Sequence, residues 1–178
     1  MKMEVTHSTL LSIIIITNLK EAQMLKTSKV FHITFLLLLS LMMLEIRAFS
    51  AQARTIEIEG LQTLKFSVDH ISAKPGEKLT VKLTNKTSLP PEAMSHNFVL
   101  LKKGADPGAF ANAALNAKDN GYIPKDMIKE IIAHTGLVAG GQAKSVTFPV
   151  PKESGDYIYI CTFPGHYAAG MKGTLTVK

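Results

Sequence analysis

A single cysteine, Cys161, stands among the 178 residues. No disulfide can form within the chain, and an odd thiol in an exported protein points to pairing between chains or to a special use. Any long run of like charge is missing too. The 20 Lys and Arg, against 14 Asp and Glu, are spread along the sequence. That excludes a basic stripe of the nucleic-acid-binding kind and leaves only a mild preference for an acidic protein partner. The chain also lacks the ~20 consecutive apolar residues that a spanning helix needs. Its longest apolar stretch, Val30–Leu44, is stopped by Glu45 and Arg47. From Arg54 onward there is neither an internal repeat nor a low-complexity tract.

What is present begins with a targeting segment over residues 1–53. Lys26 and Lys29 precede Val30–Leu44, and Ala51-Gln52-Ala53 supplies small residues for cleavage, the three parts of a secretory signal. Met24 stands just ahead of them. Translation is therefore expected to start at Met24, with cleavage after Ala53 and export, most simply to the periplasm. An uncleaved membrane anchor is the alternative. The remaining domain, 54–178, carries 15 Lys and Arg against 11 Asp and Glu, a net charge of +4. It is long enough for one core without disulfides.

Alternating apolar and polar residues mark strands through this domain. Arg54–Glu59 and Leu64–His70 read as strands, the second with Leu64, Phe66 and Val68 on one face. A Pro75-Gly76 turn leads to the alternation of Leu79, Val81 and Leu83. His96–Leu101 is almost wholly apolar after Asn97 and suits a deeper strand. Asp106–Leu115 is alanine-rich and predicts a helix, and Pro124–Lys129 a helical turn. Glu130–Thr135, Ala143–Val150, Gly155–Cys161 and Gly173–Val177 return to strand character. Short strands with turns at regular intervals predict an all-β fold, a Greek-key β-sandwich of seven to eight strands with a short helical insertion.

The chemistry concentrates between the last two strands. Cys161, His166 and Met171 fall within eleven positions, separated by a Pro164-Gly165 turn. Thiolate, imidazole and thioether suit copper, and a trigonal site of two histidines and a cysteine with a weak axial methionine is the blue-copper arrangement. The second histidine must come from elsewhere, and His96 is the best candidate. Each residue has a plainer reading. Cys161 could be a small core residue, His166 a turn histidine, and Met171 core filling, since it continues into Leu175 and Val177 by alternation. A Cys161/His166 nucleophile pair would need a low-pKa thiolate and an oxyanion hole, and would leave Met171 without a role. Zinc would prefer four N, S or O ligands to a thioether. Asn85-Lys86-Thr87 has the form of a glycan acceptor, a pattern common by chance.

The run Cys161-Thr162-Phe163-Pro164-Gly165-His166, four residues, Met171 and then Lys172–Lys178 resembles the C-terminal copper loop of azurins. His96–Leu101 resembles their first-ligand strand. The likeness continues through Ile132–Thr135 and Ser145–Phe148, and so spans the domain from Arg54 to Lys178. The resemblance is to cupredoxins of the azurin and auracyanin type. It implies one type 1 copper ion held by His96, Cys161 and His166, with Met171 axial. It also implies a hydrogen bond between Asn97 and Thr162 that ties the two ligand segments, a helical flap, and His134 as a non-ligand surface histidine. Two departures stand out. Four residues separate His166 from Met171, as in plastocyanins and auracyanins, where azurins usually have three. Ser95 replaces the glycine whose carbonyl is a distant fifth contact.

The function implied is single-electron transfer by Cu(II)/Cu(I) cycling, not enzymatic catalysis. Partners would be redox proteins such as cytochromes or copper/haem oxidoreductases, docking transiently near His166 on a patch of Met94, Phe163, Pro164, Ala168 and Ala169. The carrier would be a monomer without a membrane span in its mature form. The rival is a copper-binding module for storage, delivery or sensing.

Overall fold

The computed structural model describes residues 52–178. The readings placed on residues 1–51, the signal segment and the start at Met24 among them, lie outside the described residues. No helix among the described residues is long and apolar enough to cross a membrane.

Among the described residues nine strands form two sheets: β1 (Arg54–Leu61), β2 (Lys65–Phe66), β3 (His70–Ala73), β4 (Lys78–Asn85), β5 (Val99–Leu101), β6 (Ile131–His134), β7 (Ala143–Pro149), β8 (Gly155–Ile160) and β9 (Lys172–Val177). The first sheet runs β2-β1-β4-β7 and the second β3-β9-β8-β5-β6. Only β1–β4 and β3–β9 are parallel pairs. The inward faces interlock as a Greek-key sandwich. Ile58, Leu79, Val81, Leu83 and Phe148 come from one sheet, and Ile71, Leu100, Tyr157, Tyr159, Leu175 and Val177 from the other.

The five-stranded sheet is covered on its outer face as well. Helix α1 (Pro107–Ala114) brings Phe110 against Val99, Leu101, Ile123 and Ile160 in a second buried cluster. A strand buried on both faces has no wet side, which accounts for the unbroken apolar run Val99-Leu100-Leu101. Asp106 caps α1, its Oδ1 accepting the N–H groups of Gly108 at 2.8 Å and Ala109 at 3.2 Å, with Pro107 in the first helical turn where its missing N–H costs nothing. The expected turn near Pro124–Lys129 is a 3₁₀ segment, Lys125–Glu130.

One expected strand is two. Leu64–His70 reads as continuous because its side chains alternate without a break. In the structure Leu64 has φ +59° in the turn between β1 and β2, Lys65–Phe66 pairs with β1, and His70–Ala73 pairs with β9 in the other sheet. The segment changes sheets at Ser67–Asp69, and two successive exposed residues, Asp69 and His70, move the inward positions from Phe66 and Val68 to Ile71 and Ala73. His96–Leu101 is likewise shortened: β5 starts at Val99, and His96 makes only an isolated bridge to Val138.

Candidate metal centre

The segment bearing His96 is fastened before any metal is considered. The His96 N–H donates to the Val138 carbonyl at 3.1 Å, and the Val138 N–H donates back at 2.7 Å. Asn85, fully buried at the end of β4, donates through Nδ2 to the carbonyls of Val138 at 2.9 Å and Met94 at 3.1 Å. Its Oδ1 accepts the Thr87 N–H at 3.0 Å. The residue that opens the glycan-acceptor triplet is thus a buried brace with its amide fully engaged. Behind the imidazole lies Gly60, so close that a Cβ there would fall 2.5 Å from Cδ2 and 2.8 Å from Cγ of His96.

The second segment starts one residue past β8. Tyr157, Tyr159 and Cys161 share the inner face, as their alternation predicts, and all three are buried in the main core. The Phe163 carbonyl accepts the His166 N–H at 3.1 Å across Pro164-Gly165, with Gly165 at φ +81°. Proline followed by a residue of positive φ is the requirement of a type II turn. A single helical turn follows. The Ala169 N–H donates to Gly165, the Gly170 N–H to Tyr167 at 2.8 Å, and the Met171 N–H to His166 at 2.9 Å. With Gly170 at φ +89°, the last two bonds form a Schellman closure, in which a left-handed glycine ends the turn. Met171 is fully buried, and its carbonyl accepts the Cys161 N–H at 3.1 Å. The four-residue spacer is this turn.

These two segments bring His96, Cys161 and His166 together as one buried group, the only such His/Cys/Asp/Glu group among the described residues. Nδ1 of His96 lies 3.1 Å from Nδ1 of His166. The Cys161 sulfur is 3.4 Å from Nδ1 of His166 and 4.0 Å from Nδ1 of His96. A triangle with these sides has its centre about 2 Å from each corner, the length of a first-row metal–nitrogen bond. Burial holds both imidazoles at a pKa of about 4, the His166 charge adding to the effect at His96. Burial also pushes the Cys161 thiol up to about 12, against the pull of the Asn97 and Phe163 N–H groups. At neutral pH all three donors are therefore uncharged in the metal-free protein, and seating a cation requires loss of the thiol proton. Two nitrogens and a sulfur, converging with no carboxylate among them, fit a soft-to-borderline metal such as copper. Nε2 of His96 is buried without a hydrogen-bond partner, so nothing on that side competes for the ring.

Asn97 and Thr162 join the two segments directly. Asn97 Nδ2 donates to Thr162 Oγ1 at 2.7 Å, and the Thr162 N–H donates to Asn97 Oδ1 at 2.8 Å. Thr162 Oγ1 in turn donates to the carbonyl of Tyr122 at 2.8 Å, a residue held at φ +60°. Converting Asn97 to alanine removes two buried bonds and strands the Thr162 N–H. Stability should fall by about 2–4 kcal/mol, read as a lower denaturation midpoint of the metal-free protein.

Ser95 is buried next to His96, and its hydroxyl donates to the Pro91 carbonyl at 2.7 Å, closing the turn that delivers His96. His70 and His134 are exposed on strands β3 and β6. One expectation fails: Phe163 is only 8% exposed and belongs to the core. Its ring packs 4.8 Å from that of His166 and 5.3 Å from that of Tyr122, so it backs the site from within. Pro164, Ala168 and Ala169 are exposed and Met94 half-buried. His166, at 3%, is the most accessible of the three clustered residues.

A family model described as copper binding proteins, plastocyanin/azurin family, matches residues 53–178. Azurin of Pseudomonas denitrificans is 39% identical over 127 residues, 70% of this chain and 98% of its own length. Auracyanin-B of Chloroflexus aurantiacus is also 39% identical over 127 residues, again 70% of this chain. The match spans only 52% of that protein, about half its length. Among solved structures, auracyanin A, a "blue" copper protein from the green thermophilic photosynthetic bacterium Chloroflexus aurantiacus, superposes with a TM-score of 0.64 at 35% identity. That match covers 71% of this chain and 100% of the other.

Proposed function

Because the chain belongs to the plastocyanin/azurin family of copper-binding proteins, we propose that it carries single electrons between redox partners. The observation that carries the reading is the buried triangle of His96, Cys161 and His166, on segments held by backbone bridges and turns. These three residues would be the strong ligands of a bound copper ion, and Met171 would add a weak thioether donor. Copper supplies a one-electron Cu(II)/Cu(I) couple when bound.

The chain's own residues do the rest. The bridge to Val138 holds His96, the Schellman turn holds His166 and Met171, and the Asn97–Thr162 bonds fix one segment against the other. Donors held on segments braced in this way would keep nearly the same arrangement in both oxidation states of the metal, which would keep reorganisation small. The core side chains around Cys161 exclude water. His166 is the outlet, ringed by exposed Pro164, Ala168 and Ala169. Brief encounters of this kind use interfaces under ~1,200 Å², and cytochromes or copper/haem oxidoreductases are the partners proposed. We further read the protein as exported, on the strength of the signal-like segment before Arg54. With Met171 as a fourth donor beside the clustered three, the copper would have no open position for a substrate, which favours carriage over catalysis.

Voltammetry and electron self-exchange of the copper-loaded protein test this reading. A reversible couple with fast self-exchange is expected. Slow exchange with ready transfer of copper to an acceptor would replace the carrier with a storage or delivery module. The docking patch has its own test. Ala168→Glu places a charge where a partner must exclude water, and the bimolecular rate with a redox partner should fall about tenfold, equivalent to ~1.4 kcal/mol. The visible spectrum should not change. An undiminished rate would remove the patch from the account.

A further inference from the structure

The helical turn that carries His166 and Met171 cannot satisfy all its own carbonyls. Its backbone bonds use those of Gly165, His166 and Tyr167, and the Lys172 N–H donates to that of Gly170 at 3.0 Å. No backbone N–H among the described residues reaches the Ala169 carbonyl. The donor comes instead from Lys65, 104 positions earlier, whose Nζ lies 2.9 Å from the Ala169 oxygen and 3.3 Å from the Gly170 oxygen. Lys65 belongs to β2, and its neighbour Phe66 is buried with its ring 5.5 Å from that of Tyr159. The backbone from which the lysine reaches is therefore anchored in the core. Gly170 leaves room for the contact: a Cβ there would lie 2.5 Å from the Lys65 Nζ.

We propose that Lys65 is a positioning residue for the metal loop, clamping the turn that the four-residue spacer creates between His166 and Met171. Lysine at the carbonyl end of a helical turn is favoured both by hydrogen bonding and by the dipole of the turn. The clamp bears on Met171 directly, because Gly170 precedes it and its own N–H closes the same turn. It also sets one positive charge against the loop. Adding an electron lowers the charge of the site, so a nearby cation favours the reduced form and raises the reduction potential. The electrochemical part rests on the copper reading; the mechanical part does not.

Two variants test it. Lys65→Met keeps the length of the stem and removes donor and charge, while Lys65→Arg keeps both. In the metal-free protein, hydrogen exchange at the Gly170 and Met171 amides should quicken about fivefold in Lys65→Met, the factor expected for loss of one hydrogen bond. Amides of β4 should not change, and Lys65→Arg should exchange like the parent. In the copper-loaded protein, the potential should fall in Lys65→Met and return in Lys65→Arg. Equal exchange in parent and Lys65→Met overturns the clamp whatever the potential does. Faster exchange with an unmoved potential overturns the role of the charge. A protein that never turns blue defeats the copper reading and leaves the exchange result standing.

Discussion

Cys161→Ser should abolish the intense visible absorption of the copper-loaded protein while leaving the sandwich folded. The blue colour of such sites comes from a copper–thiolate bond, and serine removes the sulfur. A serine hydroxyl is a harder donor and stays protonated in a site that already pushes a thiol up to about 12. The same site accepts serine structurally, because the Asn97 and Phe163 N–H groups directed at the sulfur can meet an oxygen instead. Visible spectra of both proteins after addition of Cu(II), with near-ultraviolet circular dichroism as the control for folding, make the measurement. A band that survives the substitution would take Cys161 out of the ligand set. A colourless parent protein that is folded would make the loop structural, or the site of another metal, and the electron-carrier reading would go with it.

The same electrostatics bears on the nucleophile alternative. A reactive cysteine needs a depressed pKa and some exposure, whereas Cys161 is fully buried with its thiol held in the neutral form. Its sulfur does lie 3.4 Å from an imidazole nitrogen. Burial, however, keeps His166 at a pKa of about 4, unsuited to drawing a proton from a thiol at about 12. Proximity alone does not make this pair a catalytic dyad.

Much of this was legible in the sequence because it is written in local spacing. The Tyr157-Tyr159-Cys161 alternation gives the face on which the thiol lies. Proline and glycine at 164 and 165 give the turn, and the Asp106-Pro107 pair gives the helix start. The break between β2 and β3 was not legible, since the alternation holds as far as Asp69 while the backbone partners change, and the phase shifts only at His70, the end of the expected strand. The burial of Phe163 was hidden for a related reason: its rings of contact, Tyr122 and His166, come from a distant insertion and from the loop itself. The Asn85-Lys86-Thr87 triplet gives no hint that Asn85 is a buried brace, because the pattern is blind to burial. Val138, which pairs with His96, has no signature at all. Its role is carried by its backbone, and any residue can supply that.

Gly60 left a faint trace. A glycine following the apolar–polar pattern of β1 suggests a close approach by something else, and the something is the His96 ring. Gly60→Ala should therefore weaken copper binding about 10–100-fold, the range typical of disturbing the groups that orient a ligand, and shift the visible band. No unusual φ is required at Gly60, so the backbone itself tolerates alanine, and the whole effect must pass through the new methyl. That methyl would sit 2.5 Å from Cδ2 of His96, closer than packed atoms allow. Strand β1 cannot easily retreat, because Gly60 is paired with Phe66 on one side and Asn85 on the other, and its carbonyl accepts the Lys86 N–H at 2.9 Å. The His96 backbone is pinned to Val138. The imidazole is what remains to move, and its Nδ1 has only 3.1 Å to His166 in which to do so. Overpacking should also cost about 1–3 kcal/mol of stability. Copper titration and thermal denaturation of the same variant separate the two consequences. Lost stability with unchanged affinity and colour would mean that β1 yields instead of the ligand.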